Sequence, residues 1–221
     1  MQGSAASWKE FKEYYTKNGL ESAEELAVAD RYIDWKNYLN AIAVEIYTGN
    51  TDLLNNKKYR STAVDGKWRW IVFDFDWAFT TDTNSVGRWL KPGGVGESNK
   101  RDNSLFIALM KNPVCKDYFL TLFSEKLKGD WSSASVLQKM AERYQELLPE
   151  LPMHLERWGK TEKSYNSRLN ELKRYAQTRP GRLLYFYSNA LSKAEFEKYF
   201  GEIARTVQLI DDKGKSYSYY K

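Results

Sequence analysis

Carboxylates and amides are concentrated in two short stretches of this chain, and the spacing in both is one that chemistry can use. The first is Gly49-Asn50-Thr51-Asp52-Leu53-Leu54-Asn55-Asn56, in which one carboxylate, Asp52, is followed closely by two amides, Asn55 and Asn56. The second is Phe73-Asp74-Phe75-Asp76, the end of a run rich in Trp, Ile, Val and Phe. Read as an extended strand from Trp68 to Asp76, the run alternates with period two. Trp68, Trp70, Val72, Asp74 and Asp76 then share one face, and Arg69, Ile71, Phe73 and Phe75 the other. Two carboxylates on one side of a strand end repel unless a cation lies between them or one holds a proton. The natural counter-charge is a hard divalent metal. With a single histidine, His154, and a single cysteine, Cys115, a Cys/His zinc site has too few ligands. Any metal must be held by oxygen, as Mg²⁺, Mn²⁺ and Ca²⁺ are. Ser-His-Asp or Cys-His chemistry would have to run through His154, which sits in the helical-looking stretch Met153 to Trp158 and reads as a surface or packing residue.

Taken singly, each candidate has a plainer reading. Asp52 can shape an Asx turn, and Asn55-Asn56 can supply left-handed turn conformations. Asp74 can pair with Arg69, Arg88 or a lysine as an ordinary ion pair. Together and in this order they favour a site, and a metal site requires Asp52, Asp74 and Asp76 to converge.

The elements that must position them are legible in outline. Residues 1 to 33 read as one or two short helices, with Ser22-Ala23-Glu24-Glu25 as a capping box. Asp34 can cap a helix in which Trp35, Tyr38, Leu39, Ile42, Ala43, Ile46 and Tyr47 form one apolar face, ended by Gly49. After the Asn50 to Asn56 loop comes a hairpin: Lys58 to Ala63, the turn Val64-Asp65-Gly66-Lys67, then Trp68 to Asp76. Asp-Gly between two such runs tolerates the positive φ of a tight turn. The stretch Lys91-Pro92-Gly93-Gly94-Val95-Gly96-Glu97-Ser98 lacks P-loop spacing and reads as a mobile surface loop rather than a phosphate cradle. Helical patterns follow at Ser104 to Met110, Pro113 to Leu127, Ser133 to Leu148, Met153 to Trp158, Lys163 to Thr178, and Lys193 to Thr206, with Pro149 and Pro152 as an interruption and Ser192 as a cap. Arg182 to Tyr187 fits either helix or a short strand. Asp211-Asp212-Lys213-Gly214 reads as a turn leading into a terminal tail.

At these residues the sequence resembles the CotH (spore coat protein H) kinase family. The resemblance is carried by Ile33-Asp34-Trp35-Lys36-Asn37-Tyr38, Gly49-Asn50-Thr51-Asp52 with Asn55-Asn56, Asp65-Gly66-Lys67-Trp68-Arg69-Trp70, and Phe73-Asp74-Phe75-Asp76-Trp77-Ala78-Phe79. It continues through Asn103-Ser104-Leu105-Phe106, Asn112-Pro113, Arg157-Trp158-Gly159 and Arg179-Pro180, so it spans roughly residues 30 to 182. It implies an α+β, mostly α fold: a protein-kinase-like C-terminal lobe with one β-hairpin and a C-terminal helical bundle. The expected organisation is a helical segment over 1–33, a catalytic lobe over 34–182 and a helical extension and tail over 183–221.

The activity so implied is metal-dependent transfer of phosphate from ATP to a hydroxyl side chain of a protein substrate. Asp52 would be the catalytic aspartate, Asn55 or Asn56 a metal ligand, and Asp76 the strand-end aspartate on Mg²⁺ or Mn²⁺. Asp74 would be a second ligand or an orienting group. All four positions, Asn55, Asn56, Asp74 and Asp76, would serve the metal–ATP complex. Such catalysis is mostly positioning and charge neutralisation, which needs no histidine or cysteine. The family's catalytic unit begins with a β-rich nucleotide lobe carrying a phosphate-binding lysine, and nothing before Asp34 has that pattern. The expectation is either a chain that keeps only the substrate and metal lobe or a protein that has lost the nucleotide lobe, with weak ATP affinity and transfer that can fail in this chain. The family also implies a spore coat, envelope or extracellular setting.

A second reading, from a different class, is a noncatalytic coat or envelope protein that uses the fold to hold a protein or glycan. Aromatics make up 15 % of the chain, including 8 Trp, and Trp77, Trp89, Trp131 and Trp158 are the first rings to test. The net charge of +5 comes from 34 basic and 29 acidic residues. They are interleaved rather than blocked, so nucleic acid is not an expected partner. No apolar run reaches the roughly 18 to 20 residues of a membrane span.

Overall fold

The computed structural model describes residues 5–53, 57–79, 83–96 and 102–220. The chain divides into two compact units, one of residues 1–78 and 84–122 and the other of 79–83 and 123–221.

The first unit opens with α1 (Ala6–Asn18) and α2 (Ala23–Tyr32), the latter closed by the expected box: the Glu25 N–H donates to the Ser22 hydroxyl and the Ser22 N–H to the Glu25 carboxylate. Next comes α3 (Trp35–Thr48). Asp34 caps it by accepting from the Asn37 N–H at 3.0 Å, and Gly49 ends it in the left-handed conformation that glycine adopts without steric cost. Its buried face, Tyr38, Leu39, Ile42, Ala43, Ile46 and Tyr47, follows the expected spacing.

The hairpin is shorter than its sequence pattern. Strand β1 is Lys57–Arg60 and β2 is Trp68–Ile71, antiparallel with Arg60 opposite Trp68. The connection is therefore the longer stretch 61–67, in which the Val64 and Gly66 N–H groups both donate to the Ser61 carbonyl. A bidentate Arg69–Asp65 pair, at 2.8 and 2.6 Å, braces it. The hairpin docks on α3 through a side chain that imitates a strand: Asn37 accepts the Trp70 N–H at 2.6 Å and donates to the Trp70 carbonyl at 3.4 Å. Trp70 is buried against Tyr38, ring centroids 4.5 Å apart, and against Trp8 at 5.6 Å.

Past the hairpin lie a short helix that the sequence did not announce, α4 (Ser85–Leu90), then α5 (Ser104–Lys111) and α6 (Pro113–Lys128). Two buried asparagines fix their ends. Asn103 donates to the carbonyls of Trp89 and Lys91 at 2.9 and 2.7 Å, absorbing α4's C-terminal acceptors. Asn112 donates to the Leu20 and Ser22 carbonyls while accepting from the Val114 and Cys115 N–H groups at the start of α6.

The second unit is mainly helical. It includes the end of α6, α7 (Ser133–Leu147), a 3₁₀ turn at Leu148–Glu150, α8 (Leu151–Arg157), α9 (Glu162–Ala190) and α10 (Lys193–Phe200). Its core holds Phe123, Leu183, Leu184, Tyr187, Phe196 and Phe200, with Tyr187 stacked on Phe200 at 4.7 Å. Contrary to the expectation of one hairpin, a second follows: β3 (Leu209–Ile210) pairs antiparallel with β4 (Ser216–Tyr217). Asp211 makes the turn, its carboxylate accepting from the Lys213 and Lys215 N–H groups. The kinase-like lobe remains an implication of the family resemblance, and the observed fold is mostly α with two small antiparallel hairpins.

Candidate functional site

Helix α3 delivers the first stretch. After Gly49 the chain turns under Asn50, which is buried. The Asn50 side-chain oxygen accepts the Asp52 N–H at 3.0 Å and its amide reaches the Asp52 carbonyl at 3.5 Å. The Asx turn at this point is thus made by Asn50. Arg88 of α4 braces it from the other side, donating to the Asn50 carbonyl at 3.1 Å. Asp52 is half-buried and Leu53 buried. Asn55 and Asn56 lie outside the described residues.

The second stretch departs from the strand reading. Strand β2 ends at Ile71, so Asp74 and Asp76 do not share a pleated face. The reason is local: Asp74 takes φ 61°, the left-handed region, which reverses the chain and breaks the alternation. Aspartate is one of the few non-glycine residues that enter it readily. Phe73 turns back toward β1, with the Lys57 ammonium 4.5 Å from its ring centroid, while Asp74, Asp76 and Trp77 are exposed. The Ala78 N–H then closes a turn onto the Phe75 carbonyl, and Ala78 is buried.

The two stretches touch. The Thr51 hydroxyl donates to the Trp77 carbonyl at 3.3 Å, joining the neighbour of Asp52 to the neighbour of Asp76. Among the described residues, however, no three His, Cys, Asp or Glu side chains gather as a metal-holding group. The structure brings the segments of Asp52 and Asp76 together without closing the three carboxylates around one point. Nearby, Arg69 holds Asp65 and, at 3.1 Å, Asp34, and Arg88 donates to the Asn50 carbonyl. The Arg69 guanidinium keeps the Asp65 carboxyl well below the usual carboxylate range.

One residue here escaped the sequence reading. Glu45, on the last turn of α3, points its carboxyl into this loop, where burial pushes it up to about 7 against the pull of the Asn50 side chain, with the negative Asp52 adding to the rise. Its Oε2 is buried and has no hydrogen-bond partner among the described residues. The only hint in the sequence was its place between Val44 and Ile46, four residues ahead of Gly49.

The remaining features fall outside this site. The described part of the glycine-rich stretch is closed onto α4 by successive turns, Gly94 N–H to Lys91 carbonyl and Gly96 N–H to Gly93 carbonyl, with Val95 buried. A Cβ at Gly94 would sit 2.2 Å from the Arg88 carbonyl oxygen, so this glycine is needed for close packing. A groove of about 710 Å³ runs between the end of α1, this turn and the start of α5, lined among others by Tyr15, Leu20, Asp102 and Ile107. None of the candidate aspartates lines it. Of the four tryptophans singled out, Trp89 belongs to the core and Trp131 packs edge-on against Phe123 at 5.3 Å. Trp77 and Trp158 are 60 % and 61 % exposed. No helix among the described residues is long and apolar enough to cross a membrane.

A family model described as CotH kinase protein matches residues 2–183. Neither the curated proteins nor the solved structures give a significant match. The matched range takes in α1 and α2 as well as the stretch from residue 30 onward that carried the resemblance.

Proposed function

Because the chain belongs to the CotH kinase protein family, we propose that it forms the metal-binding part of a phosphotransferase that moves the γ-phosphoryl of ATP to a hydroxyl side chain of a protein. The single observation that carries this reading is the Thr51–Trp77 hydrogen bond, which sets the Asp52 loop against the Asp-Phe-Asp stretch. In kinase chemistry one aspartate accepts the substrate hydroxyl's proton, while an aspartate and an asparagine hold the metal, the phosphates completing its shell. The convergence of Asp52, Asp74 and Asp76 required of a metal site is not met among the described residues, so the assignment rests on the family and on the contact between the two segments. Asp52 is the residue assigned to the hydroxyl, and Asp76 and Asp74, with Asn55 or Asn56, are assigned to Mg²⁺ or Mn²⁺. The donor set is all oxygen, which suits either ion. When bound, the ion would neutralise charge on the transferred phosphoryl group. The chain's own contribution is geometric: Asn50 and Arg88 hold the Asp52 loop, and the stretch with its reversal at Asp74 presents the Asp74 and Asp76 carboxylates to solvent.

The test is transfer of labelled γ-phosphate to a hydroxyl-bearing protein acceptor in the presence of Mn²⁺. The expected result is transfer that Asp52→Asn and Asp76→Asn each reduce by 100-fold or more, on the order of what removal of a positioned acid or base costs. Transfer that is equal in the variants would overturn the assignment. The exposure of Trp77 and Trp158 favours a second reading, a noncatalytic protein of a coat or envelope that presents these rings to a protein or glycan. Retention of such a partner by Asp52→Asn and its loss in Trp77→Ala would distinguish it.

A further inference from the structure

We propose that Glu45 is a positioning residue for Asp52, acting through Asn50, and that it does so as a neutral acid whose ionisation loosens the Asp52 loop. The proposal rests on the assignment of Asp52 made above and adds to it the group that governs its loop. Three observations carry it. The Glu45 carboxyl faces the Asn50 side chain, which favours its charged form against burial. That same side chain holds the Asp52 backbone, accepting its N–H at 3.0 Å. The second carboxyl oxygen, Oε2, is buried with no partner among the described residues. An ionised carboxylate with one oxygen unpaired away from water is costly, whereas the acid form leaves only a neutral group to satisfy.

The charged groups facing Glu45 settle the direction. From the loop, Asp52 contributes a negative charge that opposes ionisation. From α4, Arg88 donates to the Asn50 carbonyl. From β2, Arg69 is committed to Asp65 and Asp34. When Glu45 loses its proton it becomes a buried anion beside Asp52, and the Asn50 amide is drawn more strongly toward it. The Asn50 amide also reaches the Asp52 carbonyl, at 3.5 Å, so that stronger pull competes with its hold on the loop. Ionisation of Glu45 should therefore be sensed at the Asp52 backbone.

The experiment is a pH titration of the ¹H–¹⁵N resonance of Asp52 in the full chain, from pH 5 to 9, for the parent, Glu45→Gln and Asp76→Asn. The expected result is a shift of the Asp52 amide with a midpoint near 7 in the parent and in Asp76→Asn, absent from Glu45→Gln. An Asp52 amide that does not respond in this range, or that responds equally in Glu45→Gln, would overturn the proposal. A phosphoryl-transfer profile adds the catalytic side. Glu45→Gln should keep the rate below pH 7 within about threefold and abolish its fall above pH 7, whereas Glu45→Leu should lower kcat tenfold or more with KM for ATP unchanged. If the chain by itself transfers no phosphate at any pH, the amide titration still decides the role of Glu45. If Glu45→Leu does not fold, the Glu45→Gln titration remains decisive.

Discussion

Thr51 and Trp77, 26 positions apart in sequence, are joined by a hydrogen bond of 3.3 Å from the threonine hydroxyl to the tryptophan main-chain carbonyl. Each sits beside a candidate aspartate, so this contact sets the register between the two stretches of the site. Thr51→Val keeps the shape and removes the donor. The cost in stability should be about 1 kcal/mol, as for a typical part-exposed hydrogen bond. The loss of phosphoryl transfer should be larger, tenfold or more, because misplacement of the two stretches acts on the transition state. Comparison of urea midpoints with transfer rates for the one variant checks both.

Asp74 at φ 61° gives a prediction of opposite signs for stability and metal binding. Glycine accepts this backbone without strain, so Asp74→Gly should unfold at or above the parent's midpoint. Asp74→Ala, which keeps a Cβ and loses the aspartate's tolerance of this region, should be less stable than Asp74→Gly by roughly 1 kcal/mol. Both should weaken the Mn²⁺-dependent gain in stability. Thermal unfolding with and without Mn²⁺ separates the two effects.

Glu45 makes stability depend on pH in a defined window. Its folded-state pKa is raised from the ordinary 4.5 to about 7, so between these values the folded chain binds more protons than the unfolded one. Stability from this group is therefore fully present below about 4.5 and is lost as pH rises through about 7. Relative to Glu45→Gln, which cannot ionise, the parent should lose stability across this window, by about 3 kcal/mol in all, and then level off. Urea unfolding of both proteins at pH 4.5, 6, 7 and 8.5 tests the sign and the plateau. A parallel pH dependence in the two would place the titrating group elsewhere.

Asn37 joins α3 to β2 by pairing with both main-chain groups of Trp70. Asn37→Ala leaves the Trp70 N–H without this acceptor and should cost about 2 kcal/mol. Asn37→Asp retains an acceptor for the Trp70 N–H but turns the donor to its carbonyl into a second acceptor, so it should restore only part of that loss. The difference between the two variants, read from denaturant midpoints, measures the carbonyl half of the pairing.

The helices with one apolar face were legible because their spacing and their end signals agree. Asp34 and Gly49 bracket α3 as cap and stop, and the faces on either side of Leu39 fall where 3.6 residues per turn puts them. The spacing reads as helix from Lys163 to Thr178 and leaves Arg182 to Tyr187 open between helix and strand, and a proline inside a helix removes one hydrogen bond at a cost of about 3 kcal/mol. The helix continues to Ala190 because Leu183, Leu184, Phe186 and Tyr187 are buried along it, and their burial outweighs the loss. The second hairpin was missed because its strands are only two residues each, too short for an alternating pattern.

In the candidate site, residue types and order can be read from the sequence, but the geometry cannot. Asp52, Asp74 and Asp76 stand out by type and order. That Asp74 turns left-handed, that Asn50 shapes the loop of Asp52, and that Glu45 is drawn into that loop are consequences of tertiary packing. No local pattern encodes them. Alternation was the wrong guide past Ile71 because a single positive φ cancels it.

Asp76, with its neighbours, is proposed to take up a divalent ion. The most direct measurement is thermal unfolding of the chain with Mn²⁺, with Mn²⁺ and ATP, and with neither, beside Asp52→Asn and Asp76→Asn. A ligand that binds only the folded state adds about 2.7 kcal/mol at a hundred times its Kd. The expected result is a Mn²⁺-dependent rise in the midpoint that is lost in Asp76→Asn and retained in Asp52→Asn; a further rise with ATP would show that the chain recognises phosphates. No rise with millimolar Mn²⁺, or a rise that Asp76→Asn leaves intact, would contradict the assignment of Asp76.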